Sequence, residues 1–404
     1  MEFQFDPQRL TLARWAAGTT KRQLAARLEI SPASITQYES GNTMPRAQTV
    51  AGMALVLGVP AKYFEHDPRR RRPFAGSRSF FRSLRASPQW ERDQADARAE
   101  HVFDLVSYLE RRLRLPAVDV PEHPEFFAEA GRRELEDVAA QVRGRWNLPP
   151  GPVGHVVRLL EAHGIIVARL RSDGPRVDAF SRWFETRPLV ILWDGKGDKA
   201  RSRFDAAHEL GHLVMHHEAQ PGDRELERQA HAFAAAFLMP ADQIVDTLPR
   251  RTPRANDWER LFDLRRRWGV SVAALLYRAR ELGTLPEAGF RRSIIRLGEM
   301  GLRHDDGASL GEPEQPALLG RALAALLRGP GMELQDIADE LRFSSRQLED
   351  VLGNQVPARL QALRGACAPT PSSPDSDLAA VTVLHPDRRP SCGQAGSRAS
   401  HEAR

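Results

Sequence analysis

Residues 206–212 read Ala-Ala-His-Glu-Leu-Gly-His, and this short segment restricts the possible folds more than any other stretch of the chain. His208 and His212 are four residues apart, so a helix sets them one turn apart on one face, where both imidazoles can reach one Zn2+ ion. Glu209, beside the first imidazole, is placed to act as general base toward a water polarised by that metal. A zinc site needs a third protein ligand and leaves the fourth position open. The longer motif with a further histidine downstream is absent. His216 continues the same helix and diverges too far around it to complete a tetrahedron. Glu227 is the better candidate, because it lies on the next helix, whose other face (Ala230, Phe233, Ala234, Phe237) is apolar and can pack on the first. His231, one turn beyond Glu227, faces the same way and can hydrogen-bond a ligand histidine. The competing reading makes these histidines polar members of a packed helix. Against it, five of the 13 histidines fall within 208–231, next to two carboxylates.

A second constraint lies near the N-terminus. Residues 8–64 carry short apolar stripes broken by stop and cap residues: Gly18-Thr19-Thr20, Ile30-Ser31-Pro32, Gly41 and Gly58. Within them, Thr20–Gly41 reads as two short helices joined by a tight turn. Small Ala25 lets them approach, and Leu24, Leu28, Ile30 and Ile35 hold their angle. The start of the second helix is then exposed, with Ser31, Ala33, Ser34, Thr36 and Gln37 placed to enter a major groove. Gln37 can pair bidentately with adenine, while Lys21, Arg22 and Arg46 sit against phosphates. Charge agrees: residues 1–90 hold 14 Lys+Arg against 6 Asp+Glu, in a chain whose net charge is only +5. Arginine runs such as Arg69–Arg72 weigh less, because 54 of the 58 basic residues are arginine throughout.

The remaining text divides the 404 residues into segments. Residues 1–66 form the helix-turn-helix unit, and 67–123 an arginine-rich connector followed by an amphipathic helix from His101 to Leu115. Residues 124–290 form the metal-binding domain, with strands at Ile165–Leu170, Val177–Phe184 and Leu189–Trp193. Residues 291–363 are helical again, and 364–404 read as a Pro/Ser-rich disordered tail. Leu334–Gly353 has a faint second helix-turn-helix rhythm, but its acidic residues oppose DNA contact and favour packing or dimerisation. Cys367 and Cys392 are too few for a disulfide framework and too far apart for a zinc pair. No apolar run approaches the ~20 residues of a membrane helix, and no secretory signal precedes the first helix, so a cytoplasmic protein is expected.

The first constellation resembles the helix-turn-helix of Xre (Cro/repressor-like) regulators, matching at Thr20, Leu24-Ala25, Ile30-Ser31, Ile35-Thr36, Glu39, Gly41 and Pro45. It departs at Lys21, where that family usually carries Gln. The second, Phe204–His216 followed by Glu227–Pro240, resembles the ImmA/IrrE metallo-endopeptidases, and Asp178-Ala-Phe-Ser and Arg201-Ser-Arg-Phe match the same family's habits. That resemblance implies His208, His212 and Glu227 as zinc ligands and Glu209 as base; His231 stands where the family usually has Asn or Asp. The fold implied is mainly α with a small β-sheet (α+β). A five-helix Cro/repressor-like bundle leads, then a zincin-like (gluzincin-type) domain, then a helical C-terminal region. The function implied is a regulator that binds a double-stranded DNA operator as a homodimer and cleaves a helix-turn-helix repressor or itself. The alternative is a non-proteolytic regulator whose zinc-binding domain senses a ligand or mediates dimerisation. Tyr277 and His217 are the oxyanion candidates, and both read as structural.

Overall fold

The structure is a computed structural model that describes residues 3–68, 70, 80–81, 88–122, 130–171, 179–185, 187–194, 198–216, 223–302, 310–329, 331–355 and 381–383. Arg69, Arg71, Arg72, Asp178, His217, Cys367, Cys392 and nearly all of the expected tail lie outside these residues. The chain is mainly helical with a small sheet. Among the described residues no helix is long and apolar enough to cross a membrane.

The head comprises α1 (Pro7–Ala16), α2 (Lys21–Arg27), α3 (Pro32–Glu39), α4 (Ala47–Leu57) and a 3-10 turn (Ala61–Phe64), five helical elements in all. Its sequence punctuation works as side-chain chemistry. Thr20 and Gln23 cap each other's backbone N–H groups at the start of α2, and Ser31 Oγ accepts from Ser34 N–H at the start of α3, where Pro32 occupies the first turn. Leu10, Leu24, Ile35, Met53, Tyr63 and Phe64 are fully buried beneath them.

Two short strands and a long helix follow: β1 (Phe80–Phe81), α5 (Gln89–Glu110) and β2 (Leu113–Arg114). The sequence pattern placed this helix at His101–Leu115; it starts twelve residues earlier and ends at Glu110. Its first half is hard to see because the buried face is built from Ala95 and Ala99 among charges. Burial extends to charged side chains, so α5 carries an ion network. Asp104 receives Arg9 at 2.7 Å and Arg70 at 2.8 Å, and Glu100 receives Arg70 at 3.4 Å and Arg182 at 3.2 Å. Tyr63 Oη lies 2.6 Å from Nε2 of His101, whose pKa burial lowers to about 3, so this imidazole is neutral.

The second half contains α6 (Arg132–Arg145), α7 (Val156–Ala162), β3 (Ile166–Leu170), β4 (Phe180–Phe184), β5 (Arg187–Trp193), α8 (Lys199–Met215) and α9 (Arg224–Leu238). It continues with α10 (Ala241–Ile244), α11 (Ala255–Trp268), α12 (Val272–Glu281), α13 (Glu287–Glu299), α14 (Leu318–Leu326), α15 (Leu334–Leu341), α16 (Ser345–Leu352) and β6 (Thr382–Val383). The three central strands fall within the short apolar runs, bounded by turn residues, that the sequence offers for them. The sheet order is β1-β4-β5-β3, with β3 and β5 parallel and the other pairs antiparallel; β2 pairs with β6 apart from it.

This sheet is covered on both faces, and the period of two sorts its residues. Ile166, Ala168, Leu170, Phe180, Phe184, Leu189, Ile191 and Trp193 join one core with the head, α5 and α14–α16. Ile165, Val167, Trp183, Val190 and Leu192 join the other, with α6–α9 and α11–α13. The C-terminal helices therefore pack with the head across one sheet face, which answers to the packing role expected of Leu334–Gly353. Their attachment is polar as well as apolar: the buried Glu161 carboxylate accepts from Ala317 and Leu318 N–H at the start of α14. Burial raises its pKa to about 7, against the lowering effect of those hydrogen bonds.

Removing Asp104 from the α5 network takes the carboxylate at 2.7 Å from buried Arg9 and the one at 2.8 Å from Arg70, which keeps Glu100. Asp104→Ala is therefore expected to cost the full-length chain about 3–5 kcal/mol, measured by urea unfolding. Lys62→Ala, which breaks an exposed ion pair to Asp339, should change stability by no more than about 1 kcal/mol.

Candidate metal centre

Asp198 caps α8, its Oδ1 accepting from Arg201 N–H at 3.2 Å, and Asp223 caps α9, its carboxylate accepting from Glu225 N–H at 2.9 Å. Arg203, buried on α8, anchors that helix to Glu314 and to the carbonyls of Val153 and Gly154. The two helices run close because of Gly211. A Cβ at that position would stand 3.0 Å from the Phe233 ring and 3.2 Å from Ala230 Cα, so a side chain there would push α9 away.

That approach assembles three donors. His208 Nε2 and His212 Nε2 are 3.1 Å apart, Glu227 Oε2 lies 3.3 Å from the first, and Glu227 Oε1 lies 3.6 Å from the second. A tetrahedral cation bonded at about 2.0–2.1 Å requires donors about 3.3 Å apart, so these three groups fit one metal ion. Among the described residues they are the cluster with ligand atoms close enough to share an ion. Both histidines are buried, and the group meets solvent at Glu227, whose side chain is 22% exposed. Burial would raise the Glu227 carboxyl, but the imidazoles of His208 and His212 outweigh it and hold the pKa down to about 2. The group is a carboxylate at neutral pH.

A chain of hydrogen bonds orients the second imidazole. Gln229 turns its amide nitrogen to Glu225 Oε1 at 3.3 Å, so its oxygen faces His216 Nε2 at 3.0 Å and that nitrogen is the donor. His216 is neutral, its pKa lowered to about 3 by burial and by His212. Its Nδ1 then accepts from His212 Nδ1–H at 3.0 Å, which fixes that ring with Nε2 aimed at the donor cluster. Glu209, the residue after His208 on α8, is fully buried, and Ser181 Oγ on β4 donates to its Oε2 at 2.7 Å.

The sequence-derived set thus meets in space for His208, His212 and Glu227, with Glu209 beside His208 on the same helix. His231 lies edge-on to His208, with ring centroids 6.2 Å apart, and packs on Phe204 at 4.6 Å. Sequence reasoning missed the His216–Gln229–Glu225 chain and the contact to Ser181. The i, i+4 spacings of 212/216 and 225/229 carried a signal for the first; nothing local carried the second. Tyr277 packs edge-on against Phe290 beneath Arg280, a packing role. On the head, Ala33, Thr36 and Gln37 are exposed along α3, flanked by exposed Arg22 and Arg46. Ser31 spends its hydroxyl on the cap, close to Ser34 Oγ, and the Lys21 ammonium lies 3.1 Å from Glu39 and 3.4 Å from Thr36 Oγ1.

Comparison with known proteins agrees with both halves. Residues 160–280 match the family model described as an IrrE N-terminal-like domain, and residues 12–64 match the helix-turn-helix model. The chain is similar to the radiation response metalloprotease IrrE of Deinococcus radiodurans, 31% identical over 115 residues, covering 26% of this chain and 34% of that protein. The chain thus spans about a third of the length of the curated relative it matches.

One divalent metal ion per chain is expected in the purified protein by elemental analysis, and none in His212→Ala or Glu227→Ala. His216→Ala should retain the ion at about 10–100-fold lower affinity, because only the orientation of His212 is lost.

Proposed function

We propose that this chain, in which a helix-turn-helix domain precedes an IrrE-like metallopeptidase domain, is a cytoplasmic transcriptional regulator carrying a zinc endopeptidase. The head reads a double-stranded DNA operator, and the second domain cuts a helix-turn-helix repressor or the chain itself. The observation that carries this reading is the cluster of His208, His212 and Glu227, with ligand atoms within 4.8 Å of one another, whose histidines share a helix with Glu209, a carboxylate that accepts from Ser181.

Two nitrogens and one carboxylate suit zinc, which when bound would act as Lewis acid at the scissile carbonyl. The protein's own groups supply the remainder. Glu209 accepts the proton of the attacking water and returns it to the departing amine. Ser181, donating to Oε2, holds that carboxylate in one orientation. Peptide reaches the group from the Glu227 side, where it meets solvent. On the DNA side, Gln37 reads a base edge from α3, and Arg22 and Arg46 fix the head against phosphates. One recognition helix reads few base pairs, so two copies bind paired half-sites.

The complete burial of Glu209 favours a second reading, in which the metal domain senses a ligand or mediates dimerisation without hydrolysis. Glu209→Gln separates the two. Under the first reading it leaves metal content and operator affinity unchanged and slows proteolysis at least ~100-fold, with loss of any derepression that depends on cleavage. Derepression that survives the substitution refutes the enzymatic switch. Gln37→Ala, tested by band shift against single-base operator variants, should cost about 1–3 kcal/mol and relax discrimination at one adenine.

A further inference from the structure

A cavity of about 530 Å3 lies where the head meets the rest of the chain. Its walls are the ends of α1 and α4 from the head, Gln94 and Arg98 of α5, Leu170 and Arg171 at the end of β3, and Arg346 and Asp350 of α16. The volume is that of a small-molecule site. Its charged lining consists of three arginines, Arg98, Arg171 and Arg346, and one carboxylate, Asp350, while the ring of His101 is neutral and paired with Tyr63. Arg98 is held in place: its Nη1 donates to the Arg171 carbonyl at 2.6 Å and its guanidinium lies 5.6 Å from the Trp193 ring centre. Arg346 is 88% exposed and reaches Asp350 at 3.9 Å. Ala13, Val56 and Val59 of the head supply apolar lining.

We propose that this cavity binds a small metabolite bearing a carboxylate or phosphate group, held by Arg98, Arg171 and Arg346, and that its occupancy adjusts operator affinity. A positively lined recess of this size fits an anionic group at the guanidinium side and an apolar body against the head. The ligand would touch α4 of the head and α16 at once, so it favours whichever head placement lets both contacts form. The site is independent of the metal centre and of any proteolysis.

The test titrates full-length protein calorimetrically with citrate and with pyrophosphate, a carboxylate and a phosphate probe. Saturable one-to-one binding is expected for at least one probe, weakened about tenfold or more in Arg98→Ala and in Arg346→Glu. Arg22→Ala/Arg46→Ala, which removes cations of the head's DNA face, should bind the probe as the wild type does. Arg346 is exposed, so its variant keeps the experiment decisive if Arg98→Ala does not fold. Saturating probe should shift the operator Kd of the wild type and not that of Arg346→Glu. The proposal is overturned if neither probe saturates, if binding is lost in the Arg22/Arg46 variant and kept in the Arg346 variant, or if operator affinity ignores a bound probe.

Discussion

The contact between α8 and α9 at Gly211 is the constraint on which the metal centre depends. Two histidines on one helix supply two donors, and the third must come from elsewhere at a distance fixed to a few tenths of an ångström. With no Cβ at residue 211, Ala230 and Phe233 come close enough for Glu227 to stand 3.3 Å and 3.6 Å from the two imidazoles. The apolar stripe of α9 makes that approach favourable, since Ala230, Phe233, Ala234 and Phe237 leave water as it forms. Hydrophobic packing and ligand geometry are thus the same requirement seen from two sides of one helix.

The strand β4 connects this centre to the rest of the molecule. Ser181 and Trp183 face α8, the first donating to Glu209 and the second to the Leu213 carbonyl. Phe180, Arg182 and Phe184 face the opposite way, where Phe184 stacks on Phe103 and Arg182 pairs with Glu100 of α5. Through Glu100 and Arg70 the same network reaches Asp104 and Arg9 of the head. One five-residue strand therefore carries a hydrogen bond to the candidate base on one face and an ion pair toward the DNA-binding helices on the other.

What the amino-acid text made legible was local. The caps at Thr20, Ser31 and Gly58, the short apolar runs of β3–β5, and the spacing of His208, His212 and Glu227 are short-range patterns, and the structure has caps, strands and a donor cluster at those residues. What it hid was set by packing between distant segments. The first half of α5 buries alanines and carboxylates, which hydropathy reads as a solvated connector. Ser181 reaches Glu209 across 28 residues of sequence. The spacing of His216 suggests only a poorly placed ligand, whereas in the structure it links His212 to Gln229.

The two-sided burial of the sheet also bears on how the polypeptide is made. Strands β3–β5 have been synthesised by residue 193, but the helices that cover their head-side face, α14–α16, begin at Leu318. At a synthesis rate of ~5–20 residues per second, that interval lasts on the order of ten seconds. For that time the nascent chain presents Ile166, Ala168 and Leu170 without their final cover, a surface on which a chaperone can act before the C-terminal helices arrive.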